Sequence, residues 1–297
     1  MIVGNKQAIA GWYRAAVVAL AVSLAGCAAP VAPAPGPVSP PPAAAAPWTA
    51  AIGRLDVAGA ASCTAVLVKA TLILTAAHCL HQNPTVSPPA SLRFNPNLGA
   101  ALALPPAQGQ RLVALGGDVR EGHLARPEQI MKDWALIEIA PAVTGVAPLP
   151  LASLSTDEAV SRLAHGGTLF TAGYGQGWMK RLEQHSACGI VEDPHIFASY
   201  RNRLLVTNCI IRIGDSGGPI ILMDSGGKPR FLGIFAGFDT RRGLSYAVAT
   251  GPILRRLAQT PVSALPASPL PLAILSADVS VASVGPAPWD GQQHGRD

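Results

Sequence analysis

The chain is poor in charge and in aromatic rings: Asp, Glu, Lys and Arg make up 13% of it and Phe, Trp and Tyr 5%, so a net charge of +5 is thinly spread. No face of clustered Lys and Arg interleaved with aromatics can be read from it, which argues against nucleic acid as a partner. Acidic residues are missing from residues 1–26. Long apolar runs are missing as well: Ala15 to Ala25 is a stretch of eleven apolar or small residues, too short to span a bilayer comfortably. His78, Cys79 and His81 lie close together, but no second ligand pair stands at zinc-site spacing, so neither a metal nor a cofactor is expected.

What the first 26 residues do contain is a positive head, Lys6 and Arg14, followed by that short apolar stretch, the pattern of a secretory leader. It ends Leu24-Ala25-Gly26-Cys27, which resembles a bacterial lipoprotein box. That resemblance implies that Cys27 is lipidated and becomes the new N-terminus, anchoring the chain to a membrane without threading it through. The alternative is that Cys27 is only a small residue near an ordinary cleavage site. Ala28 is not an aspartate, so the expected place is the outer membrane of a bacterial envelope, on its periplasmic or surface face. Residues 27–47 are almost wholly Ala and Pro and read as an extended tether. Residues 261–297 return to Pro, Ala, Ser and Val and read as a mostly unstructured tail, with a strand-like composition only from Ala273 to Val284.

Between them, residues 48–260 have the composition of a globular domain. Short apolar runs such as Val66-Leu67-Val68, Leu72-Ile73-Leu74, Ala135 to Ile139, Ile220-Ile221-Leu222 and Phe231 to Phe235 are punctuated by Gly, Pro, Asn and Asp, which argues an all-β sandwich or barrel. Gly251 to Leu257, with proline in its first turn, reads as a short terminal helix. The proline-rich segment from Asn83 to Gln110 is expected to be a surface excursion outside the core. Five cysteines are present; with Cys27 set aside as lipidated, four remain, an even number suited to two disulfides in an oxidising compartment, with three possible pairings.

Gly214-Asp215-Ser216-Gly217-Gly218-Pro219 sets three glycines around one serine. Such a turn presents a hydroxyl together with bare N–H groups, here those of Gly214 and Ser216, which is what acyl transfer needs: a nucleophile and donors for the oxygen that becomes negative. Alone, the run is also compatible with an ordinary surface turn. Upstream, Leu74-Thr75-Ala76-Ala77-His78-Cys79 ends an apolar run in a histidine, and Lys132-Asp133-Trp134-Ala135-Leu136 opens another with an acid. His, Asp, Ser is the chain order of one known Ser-His-Asp arrangement. Thr75 to Cys79, Asp133 to Leu136 and Gly214 to Pro219 resemble the three signature blocks of the chymotrypsin/trypsin family of serine peptidases, over about Ile52 to Gln259.

The resemblance implies two packed six-stranded antiparallel β-barrels closed by a short C-terminal helix, and a serine endopeptidase acting on protein or peptide substrates. His78 is the implied base, Asp133 its orienting acid, Ser216 the nucleophile, and Gly214 with Ser216 the oxyanion hole. A Cys63–Cys79 bridge beside His78 is implied too, which leaves Cys188 for Cys209. Ile210, six residues before Ser216, is the implied base of the primary pocket, with Phe235, Ala236 and Gly237 as one wall and Gly243 to Tyr246 as another. A residue other than an acid at that base points to small or apolar substrate side chains and away from Lys or Arg. Asp215 departs from the activated members: no Ile-Val-Gly-Gly-like sequence stands ahead of Cys63 to provide a new N-terminal amine, so Asp215 needs an internal basic partner or backbone donors. His81, His123, His165, His185, His195 and His294 read as surface or satisfied core histidines, and Asp157, Asp193 and Asp224 as solvated turn acids. The alternative function is a catalytically silent protein of this fold that binds a protein partner; a binder has no need of Gly214 or Gly217.

Overall fold

The computed structural model describes residues 46–58, 62–82, 85–100, 104–117, 126–175, 180–196 and 198–258. The leader, Cys27, the tether up to residue 45, the 261–297 tail, His123 and His294 lie outside them. In chain order the elements are β1 (Ile52–Val57), β2 (Cys63–Lys69), β3 (Leu72–Thr75), the two-residue β4 (His81–Gln82) and β5 (Thr85–Val86), β6 (Leu92–Pro96) and β7 (Ala107–Leu115). Helix α1 (Pro127–Ile130), β8 (Ala135–Ala140) and α2 (Thr156–Ala164) follow, then β9 (Thr168–Gly173), β10 (Glu183–Cys188), β11 (Leu204–Thr207), β12 (Pro219–Met223), β13 (Pro229–Asp239), β14 (Leu244–Ala249) and α3 (Thr250–Ala258). Among the described residues no helix is long and apolar enough to cross a membrane.

Six strands close a barrel in the order β1-β2-β3-β8-β7-β6, every pair antiparallel. Leu72, Ile73 and Leu74 of β3 and Leu136 and Ile137 of β8 are fully buried in it. Each such side chain contributes about 1.5–3 kcal/mol by leaving water. The second set of six is an antiparallel sheet in the order β10-β9-β12-β13-β14-β11. Its two edges meet: Ile190, just past β10, bridges Thr207 of β11, and the N–H of Val191 donates to Val206 O at 2.9 Å. The Cys188–Cys209 disulfide ties the same two edges. The architecture is therefore the expected one, two six-stranded antiparallel sheets with a short C-terminal helix.

Because β10 is an edge strand with little buried apolar surface, this seam depends on its covalent tie. Replacing Cys188 and Cys209 together by serine should cost about 3 kcal/mol, the loop-closure contribution of a bridge of that span. Chemical denaturation under non-reducing conditions measures it, and amide exchange should quicken first in β10.

One expectation needs correction. The segment from Asn83 to Gln110 is not merely a surface excursion, since it supplies β6 and the start of β7. Leu92, Phe94 and Pro96 point inward, with Leu92 1% and Phe94 0% exposed, while Arg93 and Asn95 alternate outward. Pro96 falls at the strand's end and Pro88 and Pro89 in the flanking turn, where no ladder N–H is lost, so they do not break the period-two pattern. Helix α2 was not expected; its start is fixed by a capping box, with Glu158 N donating to Ser155 Oγ at 3.2 Å and Ser155 N to Glu158 Oε2 at 2.8 Å.

The barrels meet along a seam. Trp48, buried in the turn Pro47–Ala51 ahead of β1, lies 6.2 Å ring to ring from Phe170 of β9. Thr64 of β2 accepts from Tyr174 N just after β9, through Oγ1 at 2.9 Å. His78, Asp133 and Ser216 collect on this seam.

Candidate active site

β3 is buried along its whole length and delivers the chain to the seam, where a single 3-10 turn, Ala77–Leu80, carries His78. Asp133 sits between α1 and β8, its backbone N–H held by Ile130 O at 3.0 Å and its side chain 0% exposed. The two oxygens of that carboxylate both serve one residue. Oδ1 accepts from the backbone N–H of His78 at 2.8 Å, and Oδ2 lies 2.7 Å from His78 Nδ1. A carboxylate can only accept, so the proton of this bond sits on Nδ1 and the other ring nitrogen, Nε2, is left as an acceptor.

Ser216 stands on a turn that both barrels grip. Its carbonyl accepts from Thr64 N at 2.9 Å, and Thr64 Oγ1 donates to Gly214 O at 2.9 Å. On the other side, Gly217 N donates to Phe235 O at 2.8 Å. Gly214 and Gly217 adopt φ of 100° and 80°. At Gly217 space is as decisive as conformation: a Cβ there would lie 2.2 Å from Thr64 O and 2.3 Å from Thr75 Oγ1. The N–H groups of Gly214 and Ser216 have no acceptor among the described residues. The Cys63–Cys79 disulfide lies beneath, with Cys79 Sγ 3.9 Å from both His78 Nε2 and Ser216 O. Cys63, His78 and Cys79 place potential metal-ligand atoms within 4.8 Å of one another, but both sulfurs are bonded to each other and are not thiolates.

His78 and Ser216 open into one cleft of about 680 Å³, which Ala236 and Gly237 also line. Two other expected pocket residues are elsewhere. Ile210 is 66% exposed and does not line the cleft, and Phe235 is buried in the second sheet's core. Phe235 fails because alternation along β13 turns it inward while Ala236 faces the cleft.

Asp193 is a third correction. Far from being a solvated turn acid, its side chain is 0% exposed and faces the cleft's far end. It accepts from His195 N at 2.9 Å, from Tyr246 Oη at 2.9 Å and from Arg242 Nη1 at 2.8 and 2.9 Å. Arg242 continues to Asp239 through Nε at 2.8 Å and to the Tyr246 oxygen through Nη2 at 2.5 Å. Burial by itself would raise the Asp193 carboxyl, but these donors outweigh it and hold the group below the ordinary aspartate range. Burial and the neighbouring carboxylate push Tyr246 up to about 12. A depressed carboxyl stabilises the fold above its unfolded value and stops doing so as pH falls through the folded one. Asp193→Ala should therefore cost on the order of 2–3 kcal/mol at neutral pH, by stranding Tyr246 and part of Arg242. Denaturation curves should show the gap to the parent protein closing only below the ordinary aspartate value of 3.8.

Asp215 is 5% exposed, and burial pushes its carboxyl up. The N–H of Arg212, which donates to Oδ2 at 2.8 Å, works against that rise, as does the nearby His185; Glu183 adds to the rise and the Arg212 charge opposes it. Of the two anticipated kinds of partner, the backbone donor is the one in contact with Asp215; the Arg212 guanidinium pairs with Glu183 instead.

Comparison with known proteins agrees with this geometry. The family model described as Trypsin matches residues 38–251, and the chain belongs to that family of serine proteases, whose substrates are proteins and peptides. No curated protein sequence matches it. Solved structures it is similar to include a Glu endopeptidase, at 15% identity and a TM-score of 0.51 over 73% of this chain and 95% of that one. Others are the VesB protease of Vibrio cholerae, at 20% and 0.50 over 70% and 63%, and the protease Anisep from Arthrobacter nicotinovorans, at 16% and 0.50 over 73% and 95%. At these identities the likeness is one of fold.

Proposed function

We propose that the chain is an active serine endopeptidase that cleaves peptide bonds through an acyl-enzyme. The observation that carries this reading is the two-point hold of buried Asp133 on His78, at 2.8 and 2.7 Å, beside the cleft that Ser216 shares. In the proposed cycle His78 Nε2 takes the proton of Ser216 Oγ as that oxygen attacks the substrate carbonyl carbon. The carbonyl oxygen becomes negative and is received by the N–H groups of Gly214 and Ser216, which have no other acceptor among the described residues. His78 then gives its proton to the departing amine. Water repeats the sequence against the acyl group, and Asp133 stabilises the imidazolium in both halves.

The acid at the far end of the cleft is fully engaged by Arg242, and Arg241 lines the same wall. A Lys or Arg side chain entering there would meet guanidinium charge, with both lining carboxylates among the described residues, Asp193 and Asp239, already paired to Arg242, so basic residues are disfavoured on grounds other than those Ile210 suggested. We further propose that Cys27 carries lipid and that the peptidase is held at the bacterial outer membrane; mass spectrometry of the mature N-terminus tests it, and an unmodified peptide beginning elsewhere would refute it. The enzymatic reading is tested by incubating the protein with an unfolded polypeptide. Cleavage that a fluorophosphonate abolishes is expected, whereas binding without cleavage would favour the silent alternative.

A further inference from the structure

Register in the second sheet places Glu183 of β10 opposite Gly173 of β9. Asp215 packs on that same point: a Cβ on Gly173 would lie 2.3 Å from Asp215 Oδ1. Arg212 joins the two acids. Its backbone N–H donates to Asp215 Oδ2 at 2.8 Å, its carbonyl accepts from Asp215 N at 3.0 Å, and its Nη1 donates to Glu183 Oε2 at 2.6 Å. Glu183 is 19% exposed and also lies 3.8 Å from His185 Nε2. The turn that bears Ser216 is therefore held on its carbonyl side by Thr64 and on its Asp215 side by a chain that ends in an ion pair on a different strand.

We propose that Arg212 and Glu183 are positioning residues: the ion pair fixes the main chain of Arg212, that main chain fixes Asp215, and Asp215 keeps the Gly214 and Ser216 amides aimed into the cleft. The pair does this with groups already in the folded chain. Neither Arg212 nor Glu183 lines the cleft that His78 and Ser216 share. The proposal rests on the reading of Ser216 as nucleophile, and it deepens that reading by naming what keeps the oxyanion donors in place.

The amides that the pair steadies matter chiefly when the carbonyl oxygen is charged, so its loss should fall on kcat and leave KM nearly alone. Arg212→Ala should lower kcat about 10-fold, less than deletion of an oxyanion donor because the amides remain in the turn. Glu183→Gln should lower it by a smaller factor. The double variant should be no worse than Arg212→Ala alone, since the two act through one contact. Arg212→Lys should recover part of the loss, because an ammonium still reaches Glu183. The acid limb of kcat should move to higher pH in Arg212→Ala. Glu183, His185 and Arg212 are the charges that face Asp215, and removing the guanidinium leaves its carboxyl easier to protonate. Peptidase kinetics on the full chain, with fluorophosphonate labelling of the parent protein as control, read all of these. An unlabelled parent would overturn the nucleophile assignment and this proposal with it. A labelled parent whose variants keep its kcat and pH profile, or whose double variant shows additive losses, would overturn the positioning role alone.

Discussion

Ser216→Ala should lower turnover by several orders of magnitude, and so should His78→Ala, while the two changes together should cost little beyond either one. The reason is that both residues serve a single proton transfer, which cannot be lost twice. Asp133→Ala should be of the same kind but smaller, because His78 keeps its ring and loses only its orientation and the carboxylate that stabilises its charged form. Asp133→Asn separates these contributions: its amide oxygen can still accept from the His78 backbone N–H, whereas an amide NH2 facing Nδ1 would favour the wrong tautomer. Activity should also fall as the solution is made acidic enough to protonate His78, since only the neutral ring can accept the serine proton. Steady-state kinetics on a peptide substrate measure each change; losses that multiply in the double variant would separate the two residues into different steps.

Gly217→Ala should have an effect nearly as large with no change in any reacting group. The residue is at φ 80° and a Cβ would press to 2.2 Å on the Thr64 carbonyl, a backbone atom that cannot swing away. Relief requires either parting β2 from the Ser216 turn or moving Gly217 off its bond to Phe235 O. Strain of this kind costs on the order of 3 kcal/mol or more, and displacement of the nucleophile by about 1 Å costs roughly 100-fold in rate. Thermal denaturation and turnover together report it. A variant with the parent's midpoint and rate would mean that the turn is not held as these contacts require.

How much of this was legible in the sequence differs by residue. His78, Asp133 and Ser216 each sit in a short block whose neighbours disclose it: an apolar strand ending at the histidine, an acid opening a strand, glycines around the serine. The strands rich in β-branched residues were equally readable. β10 was not, because Glu183, Gln184 and His185 hold an edge by backbone bonds and carry no apolar alternation. β6 did carry alternation, in Leu92, Phe94 and Pro96, and the density of prolines around it pointed the other way. The Ser155 and Glu158 capping box was a local signal for α2. No local signal exists for the joining of Asp193 to Arg242 and Tyr246, which lie 49 and 53 residues from it and meet it only when the loop before β11 folds onto β14. Thr64 is a similar case: its hydroxyl links Gly214 O and Tyr174 N across separations of 150 and 110 residues, and nothing next to Cys63 in the chain announces that work. Ile210 shows the converse, a position inferred from an offset in the chain that the structure leaves exposed and away from the cleft.

Ser216 as a nucleophile activated by His78 is tested most directly by covalent capture. The full chain is treated with a fluorophosphonate, digested and mapped by mass spectrometry, alongside His78→Ala and Ser216→Ala. A single phosphonyl adduct on Ser216 is expected in the parent protein, formed far more slowly in His78→Ala and absent from Ser216→Ala, with peptidase activity lost in step with labelling. An unlabelled Ser216 in folded protein, or labelling at the parent's rate without His78, would contradict it.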